Sequence, residues 1–301
     1  MNVLIVKLNA TGDVVRTTPL LRRLEANVTW LTAARNVVLV EGLVDGLRCF
    51  AWEQRDLVRD TAYDLVINLE DEPEVAEFVG CVKPRQVFGA YLDADRRMSY
   101  TDDSRQWFDL SLISRFGRER ADELKLLNRR SYQEMIFEGL GFRFAGEQYL
   151  LPQCDESDLS GDVAVAPSAG PVWPMKNWTH YAELQRQLEA QGLRVNVLPA
   201  RETLLEHLAD IKGHRCLVGG DSLPMHLALG VGIQCVTIFN CTSPWEIHEY
   251  GLLTKVVSPL LGEFFYKRDN NPRATRAIGV DEVRSAVLDR LRAASSAHRT
   301  N

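Results

Sequence analysis

The sequence predicts an α/β protein made of two domains of parallel βαβ units that face each other across a cleft. Short, continuously apolar segments alternate with helix-like segments in both halves of the chain, and this alternation is typical of parallel sheets covered by helices. A polar, acidic segment at 153–162 separates the two series and is the predicted linker. The length of 301 residues is sufficient for two domains.

The first domain is predicted to span residues 1–154. Its strand-like segments are rich in β-branched and aromatic residues, and they lie at 2–8, 28–33, 47–52, 63–69 and 86–92. The helix-like segments between them lie at 14–26, 35–43 and 72–82. From about 104 to 139 the pattern becomes mainly helical and rich in Arg and Glu, which predicts a helical insert near a substrate site.

The second domain is predicted to span residues 160–278 and repeats the alternation. Predicted strands lie at 163–169, 194–199, 216–220, 234–240 and 255–259, and predicted helices lie at 178–192, 202–211 and 224–232. A last helix at 279–297 is predicted to pack back on the first domain. Ligands bind at the carboxyl ends of the strands in such sheets, so we expect both domains to present these ends to the cleft.

Composition excludes several classes of protein. The net charge is −6 and no Lys/Arg block stands out, which argues against a nucleic-acid binder. No apolar run approaches the ~18 residues of a membrane span, so we expect no transmembrane segment. The six cysteines are scattered without a CxxC pair. With an N-terminus that reads as a strand and not as a signal peptide, they predict a cytoplasmic protein with free thiols.

The segment 3–24 contains a carboxylate at the point where a buried strand becomes a helix. Gly12 and Asp13 follow the apolar run and a short polar turn. A helix cap, a phosphate-binding turn and a catalytic base would all show this pattern, and capping is the commonest of the three.

The segment 216–232 has the pattern of an anion site. A buried strand ends in two glycines, and Ser222 and Pro224 are suited to the start of a helix. The helix N-terminus then offers free N–H groups to a phosphate, with Asp221 holding the loop and His226 one turn inside. A capped helix with a core histidine is an equally good interpretation.

Two other turns in the second domain carry charged residues. Lys176 precedes a helix predicted to begin near Trp178, where it would suit a diphosphate, although an ordinary surface lysine is commoner. Glu202 opens another helix and could bind both hydroxyls of a ribose, or simply complement the helix dipole.

Two acidic clusters in the first domain suggest weaker alternatives. Residues 93–95 read Asp-Ala-Asp and resemble a metal-binding motif, but they lie in a charged loop and are interpreted as a solvated turn. Residues 69–73 end a strand with three carboxylates that could contact a polyhydroxyl ligand, without the spacing of a metal site. No metal is therefore expected.

Three segments in order, 3–24, 166–184 and 218–246, resemble glycosyltransferase family 9, the bacterial ADP-heptose:lipopolysaccharide heptosyltransferases and their relatives. The resemblance implies the GT-B fold, with two Rossmann-like domains. It implies that the first domain binds the acceptor and that the second binds the nucleotide-sugar. The activity implied is an inverting, metal-independent transfer, with an ADP-heptose co-substrate and no cofactor. The acceptor would be a saccharide, a natural-product scaffold or a protein hydroxyl.

Matched residue by residue, the resemblance assigns Asp13 as general base. It assigns the donor diphosphate to Lys176, Asp221, Ser222 and His226. The donor nucleoside falls to Glu202 and Asn240, and the acceptor side to Asn9, Thr11 and Gly12.

The chain departs from the family pattern at two places in the donor segments. Leu223 stands where many members have Gly, and residues 239–244 read FNCTSP in place of FGPTSP-like sequences. These departures leave open a different nucleotide-sugar, or a nucleotide-sugar-binding protein with lapsed catalysis. A two-domain NAD-dependent oxidoreductase would share the architecture, but its G-x-G-x-x-G motif is missing.

Overall fold

The computed structural model describes residues 1–110 and 116–297, so part of the predicted insert, residues 111–115, lies outside the described residues. The chain divides into two compact units, and the division falls between Pro152 and Gln153. Each unit has its own sheet and its own apolar core. The units are described separately below.

The first unit contains a sheet with the strand order β3-β2-β1-β4-β5-β6. Strands β1 to β5 are parallel, and β6 pairs with β5 in the antiparallel sense. The bounds are β1 (Asn2–Val6), β2 (Asn27–Thr32), β3 (Arg48–Ala51), β4 (Leu65–Asn68), β5 (Gln86–Leu92) and β6 (Met98–Tyr100).

The central strand β1 explains why this sequence forms a sheet covered on both faces. Because side chains alternate along a strand, Val3 and Ile5 enter one core cluster while Leu4 and Val6 enter the other. All four are fully buried. Continuous apolar character therefore marks a strand with protein on both sides.

Helices of the first unit are α1 (Thr11–Thr17), α2 (Val37–Val40), α3 (Pro73–Cys81), α4 (Arg105–Phe108), α5 (Gly117–Leu127) and α6 (Tyr132–Gly139). The predicted insert thus contains α4 to α6. Tyr132, Ile136 and Phe137 of α6 belong to the main core of the unit, so this helix is part of the domain and not an appendage. The helix predicted at 14–26 is shorter, because a 3₁₀ turn with Pro19 follows α1.

Strand β6 was not predicted from the sequence. The Asp-Ala-Asp segment is the turn between β5 and β6, where Asp93 Oδ1 accepts hydrogen bonds from the backbone of Asp95 and Arg97, each at 2.9 Å. The carboxylate stabilises its own turn, which agrees with its interpretation as a solvated turn.

The second unit contains a parallel sheet with the strand order β11-β10-β9-β7-β8. The strand bounds are β7 (Gly161–Ala166), β8 (Val195–Val197), β9 (His214–Gly220), β10 (Gln234–Phe239) and β11 (Leu253–Val257). The helices are α7 (Tyr181–Glu189), α8 (Leu204–Lys212), α9 (Leu223–Val231), α10 (Leu261–Phe264), α11 (Pro272–Arg276) and α12 (Val280–Ala297).

Two helices of the second unit begin later than predicted. Helix α8 begins at Leu204 and not at Glu202, because Thr203 and Glu206 form a capping box. Helix α7 begins at Tyr181, since a 3₁₀ turn, Pro174–Lys176, intervenes after β7.

The position of α12 differs from the prediction that it packs on the first domain. Val283, Val287 and Leu291, spaced four residues apart, form one apolar stripe that packs in the core of the second unit. Arg290 extends this attachment by donating to the carbonyls of Gly251 and Leu253, each at 2.7 Å. The apolar stripe predicts that one face of α12 is buried, but its sequence does not indicate which of the two sheets covers that face.

Within the described residues, none of the helices combines the length and the apolar character that crossing a bilayer requires.

Candidate active site

In the first unit, the strand order creates a crevice between β1 and β4. From β1 the chain proceeds to β2 and β3 on one side, whereas β4 and β5 lie on the other. The connections after β1 and β4 therefore diverge, and such a switch point is where open α/β sheets bind ligands. The predicted base, Asp13, follows β1 at this position.

Glu70 joins the two connections at this switch point. It is buried, and its Oε1 accepts from Lys7 Nζ at 2.8 Å and from the backbone N–H groups of Leu8 and Asn9 at 2.5 and 3.0 Å. The predicted carboxylate cluster at 69–73 therefore contributes a residue that fixes the loop leading to Asp13.

Asp13 is the third residue of α1 and does not cap the helix. The N-cap position is Ala10, whose φ of 54° lies in the left-handed region. The Asp13 carboxylate instead forms an ion pair with Arg16, with Oδ1 to Nε at 3.0 Å. About a third of its side chain, 32%, is exposed, so a carboxylate oxygen can be reached from solvent.

Arg16 is held by two aromatic rings from the helical segment. Its guanidinium carbon lies 4.2 Å from the ring centroid of Tyr132 and 5.3 Å from that of Trp107. Its side chain is only 8% exposed. Such cation–π contacts are strongest where the cation is desolvated.

A second cation, Lys7, lies close to the base. Burial lowers the pKa of Lys7, but the negative charges of Glu70 and Asp13 outweigh this effect and raise the pKa above its ordinary 10.5. Lys7 is thus a permanent ammonium near Asp13. The two cations keep the carboxylate charged, and a charged carboxylate is the form that can accept a proton.

The three residues predicted on the acceptor side lie in the same connection. Asn9 is exposed, with its amide 3.4 Å from Glu72 Oε1. Thr11 begins α1 and donates to Asn36 Oδ1 at 2.8 Å. Gly12 is half-buried beside Asp13. These positions are compatible with the prediction, and the contact with an acceptor remains a prediction.

The second unit has its own switch point, between β7 and β9. Lys176 follows β7 and Asp221 follows β9, and they meet across it. Lys176 Nζ donates to the Asp221 carbonyl at 2.6 Å and to its Oδ2 at 3.1 Å. Both side chains are largely buried, at 13% and 15% exposure.

This pair fixes the electrostatics of the loop after β9. Burial raises the pKa of Asp221, but the charges of Lys176 and His226 and the hydroxyl of Thr242 outweigh it and hold the pKa below 3.8. His226 is buried at 4% exposure, one turn into α9. A cation, a histidine and the N-terminus of α9 thus occur together, which is a combination suited to a diphosphate.

Ser222 and Gly220 shape the same loop. Ser222 occupies the N-cap position of α9 as predicted, but its hydroxyl makes no capping hydrogen bond and lies 3.4 Å from the Gly220 carbonyl. A Cβ at Gly220 would lie 2.9 Å from the Lys176 carbonyl. Only glycine allows the two loops to approach this closely.

Asn240 has a supporting position in the structure. It is fully buried at the end of β10, and its Nδ2 donates to the Met175 carbonyl at 3.0 Å, which holds the turn that carries Lys176. Its neighbour Cys241 is also fully buried, in an apolar cluster with Met175 and Phe264. The side chain of Asn240 is therefore not accessible to a nucleoside in this conformation.

Glu202 lies in the exposed connection after β8. It has no ion pair among the residues that the structure describes, and it precedes the cap of α8. Since β8 is next to β7 in the sheet, this connection and that of Lys176 lie at the same carboxyl edge. A contact between Glu202 and a ribose remains a prediction.

Sequence reasoning missed Lys7, Arg16, Trp107 and Tyr132 as site residues, and it considered Glu70 only as one of the three carboxylates at 69–73 that could contact a polyhydroxyl ligand. A charged residue at the end of a buried strand was the one available signal for Lys7. The remaining contacts join positions that are far apart in the sequence.

Comparisons with known proteins give a fold-level result. No family model and no curated protein matches the sequence. Among solved structures, a glycosyltransferase family 9 protein from Veillonella parvula matches with a TM-score of 0.69 and 15% identity, covering 96% of this chain and 97% of that one. The heptosyltransferase WaaC of E. coli, solved with ADP, matches with a TM-score of 0.60 and 15% identity, covering 98% and 100%.

A third similar structure is the iron-containing dodecameric glycosyltransferase TibC from enterotoxigenic E. coli, with a TM-score of 0.61, 12% identity and coverage of 97% of this chain and 76% of that one. No group of three or more His, Cys, Asp or Glu side chains arranged to bind a metal occurs among the described residues.

These similarities confirm the predicted fold class, GT-B, and the resemblance to glycosyltransferase family 9 at the level of the fold. At 12–16% identity they leave the reaction and its residues to be argued from the two switch points.

Proposed function

We propose that this protein is a glycosyltransferase that moves a sugar from a nucleoside diphosphate to an acceptor hydroxyl with inversion. The observation that carries the proposal is the pair of switch points. One has a solvent-accessible carboxylate held between cations, and the other has a lysine, a histidine and a helix N-terminus. Such a transfer requires a base for the acceptor hydroxyl and positive charge for the leaving diphosphate, and these are the roles proposed for the two switch points.

The chemistry balances with these groups alone. The acceptor oxygen attacks the anomeric carbon, and the bond from that carbon to the diphosphate oxygen breaks on the opposite face. The acceptor proton passes to Asp13, which acts as general base. The nucleoside diphosphate leaves with the bonding electron pair.

Lys176, His226 and the N-terminus of α9 stabilise the leaving group. They place positive charge and N–H groups where negative charge develops, and electrostatic stabilisation of this kind needs no reorganisation during the reaction. Asp221 orients Lys176, Ser222 lies at the helix start, and Glu202 is the proposed ribose contact.

Asp13 is a weak base, because the positive charges of Lys7 and Arg16 favour the charged form of its carboxylate. It accepts the proton late, when the hydroxyl oxygen has begun to bond to carbon and its proton has become acidic. An inverting transfer tolerates this because one carboxylate within hydrogen-bond reach of the hydroxyl is sufficient.

ADP-heptose is the proposed donor. The support comes from the similar structures: WaaC was solved with ADP and with ADP-2-deoxy-2-fluoro heptose, and TibC with ADP-D-beta-D-heptose. A different nucleotide-sugar is the alternative, because Leu223 and the FNCTSP segment alter the donor side.

A calorimetric panel of ADP, UDP, GDP, their sugars and NAD tests the donor. We expect ADP and ADP-heptose to bind most tightly. A preference for UDP would reject the heptose donor, and tight binding of NAD alone would reject the transferase.

Substitution of the base tests the reaction. Asp13→Asn should leave ADP binding within a few-fold and lower transfer by at least about 100-fold, the usual range for loss of a general base. Unchanged turnover would remove Asp13 from the mechanism. A wild-type protein that binds ADP-heptose but never releases ADP would instead identify a binding protein with lapsed catalysis.

A further inference from the structure

We infer that Arg16 is the positioning residue of the proposed base, and that the aromatic pair Trp107 and Tyr132 sets the position of Arg16. The inference rests on the proposed function of Asp13. It adds a structural connection between the base and the helical segment of the first unit at 104–139.

The contact between Arg16 and Asp13 spans a single turn of α1. Nε lies 3.0 Å from Oδ1, and the two residues are three positions apart, so they face the same side of the helix. An ion pair on one carboxylate oxygen limits rotation about the side-chain bonds. The close charge pair favours a carboxylate position beside the guanidinium before an acceptor arrives, and positioning of this kind favours proton transfer.

Arg16 is itself prevented from turning away. The Tyr132 ring covers its guanidinium at 4.2 Å, and Tyr132 is anchored by a 2.7 Å hydrogen bond between its hydroxyl and Thr17 Oγ1. The next residue, Gln133, donates to the Arg16 carbonyl at 2.9 Å. Trp107 packs edge-on against Tyr132 with ring centroids 4.8 Å apart. These contacts fix both ends of the arginine.

An exposed arginine on a helix would not serve in this way. Surface ion pairs contribute little to stability, because solvent and salt screen them and holding two long side chains costs entropy. Arg16 is 8% exposed at its side chain, while its carboxylate partner is four times more accessible at 32%. Arg16, which orients the base, is therefore buried, while the Asp13 carboxylate, which accepts the proton, stays accessible to solvent.

The charged groups around Asp13 determine what a pH profile should show. Lys7, which directly follows β1, and Arg16 from α1 are the cations, and Glu70 offsets part of the charge of Lys7. Tyr132 from α6 stays neutral, since burial raises its pKa above 10 despite the neighbouring cations. Lys125 of α5 is a further cation near these rings, with its Nζ 6.0 Å from the Trp107 ring centroid.

Arg16→Met tests the inference, because methionine retains an unbranched apolar side chain without the charge. ADP release from ADP-heptose, with water as acceptor, should show a kcat lower by about 10- to 100-fold. The acidic limb of its pH profile should move to higher pH, since the carboxylate loses a neighbouring positive charge. ADP affinity should stay within twofold, because the donor residues belong to the second unit.

A ¹³C NMR titration of the aspartate side chains gives a readout without turnover. The Asp13 carboxylate should titrate at higher pH in Arg16→Met than in wild type, and Arg16→Lys should restore the titration while leaving kcat low, because lysine supplies charge without the planar stack. A merely structural role would lower the melting temperature and move neither the limb nor the titration.

Arg23→Met is the matched control. Arg23 also pairs with a carboxylate, Glu147 at 2.8 Å, and also lies over an aromatic ring, Phe142 at 5.7 Å, in the same unit. It should leave kcat and both pH readouts unchanged. The inference is overturned if Arg16→Met retains wild-type kcat and titration. Absence of ADP and ADP-heptose binding in the wild type would overturn the proposed function instead, and the titration would still decide the position of the charge.

Discussion

Lys176 and Asp221 illustrate how one buried ion pair organises a loop. Each side chain is almost inaccessible, and each would be costly to bury alone. Their contact joins the connections after β7 and β9, which are 45 residues apart in the sequence. The pair therefore both closes the switch point of the second sheet and keeps the lysine directed at its loop.

Asp221→Asn should lower the free energy of unfolding of the unliganded protein by about 3 kcal/mol at pH 7, because it leaves Lys176 without its charged partner. The pKa of Asp221 is lowered in the folded state, so its stabilisation is present above pH 3.8 and disappears as the pH falls through the lower folded value. Urea denaturation of both proteins at several pH values should show the difference narrowing below pH 3.8.

The exposed pair Asp289 and Arg292 provides the comparison. Its side chains are 72% and 75% exposed, so Asp289→Asn should change stability by less than about 0.5 kcal/mol at pH 7. A loss for Asp221→Asn that is equally small at neutral pH would contradict the importance of the buried pair.

At the scale of elements, the sequence predicted the strands better than the ends of the helices. Apolar runs such as the one in β1 indicate burial on both faces wherever they occur. The start of α8 was misplaced because the capping box of Thr203 and Glu206 was overlooked. Strand β6 has three residues, which is too short for any periodicity.

The candidate site was predictable only where it is local. Asp13, Asp221 and His226 each stand at a strand-to-helix turn, and a turn is visible in a short window. The hydrogen bonds of Glu70 to Leu8 and Asn9 span 62 and 61 residues. The hydrogen bond between the hydroxyl groups of Tyr132 and Thr17 spans 115 residues. Contacts of this kind follow from strand order, and no local pattern specifies strand order.

Helix α12 should contribute strongly to the stability of the second unit. Val287 is fully buried in its core, so Val287→Ala should lower the free energy of unfolding by about 2 kcal/mol through lost burial and the cavity left behind. Denaturant unfolding followed by circular dichroism measures this. Arg292→Ala, on the exposed face of the same helix, should be nearly neutral, and equal losses for both would argue against the apolar stripe.

At the scale of the molecule, the two proposed tasks of the chain fall in two different compact units. Each unit has a core, a sheet and a switch point of its own. The residues proposed for the donor all follow Gln153, and the proposed base and its supports all precede Pro152.

Hydrogen exchange with and without ADP should reflect this division. We expect ADP to slow exchange in the connections at 167–177, 219–226 and 240–244. We expect no change in the peptides around Asp13, which lie in the other unit. At 100 times its dissociation constant, ADP should stabilise the second unit by about 2.7 kcal/mol. Protection centred on residues 8–13 would place the nucleotide in the wrong unit.

The burial of Cys241 allows the opening of the loop after β10 to be followed by thiol alkylation. Burial raises the pKa of Cys241 to about 11, so its thiolate fraction at pH 7 is on the order of 10⁻⁴. Cys81, in contrast, is exposed. Iodoacetamide should alkylate Cys81 at once and reach Cys241 only when the turn beneath Lys176 opens. The alkylation rate of Cys241, followed separately from those of the buried Cys216 and Cys235, then measures that opening, and a bound nucleotide should lower it.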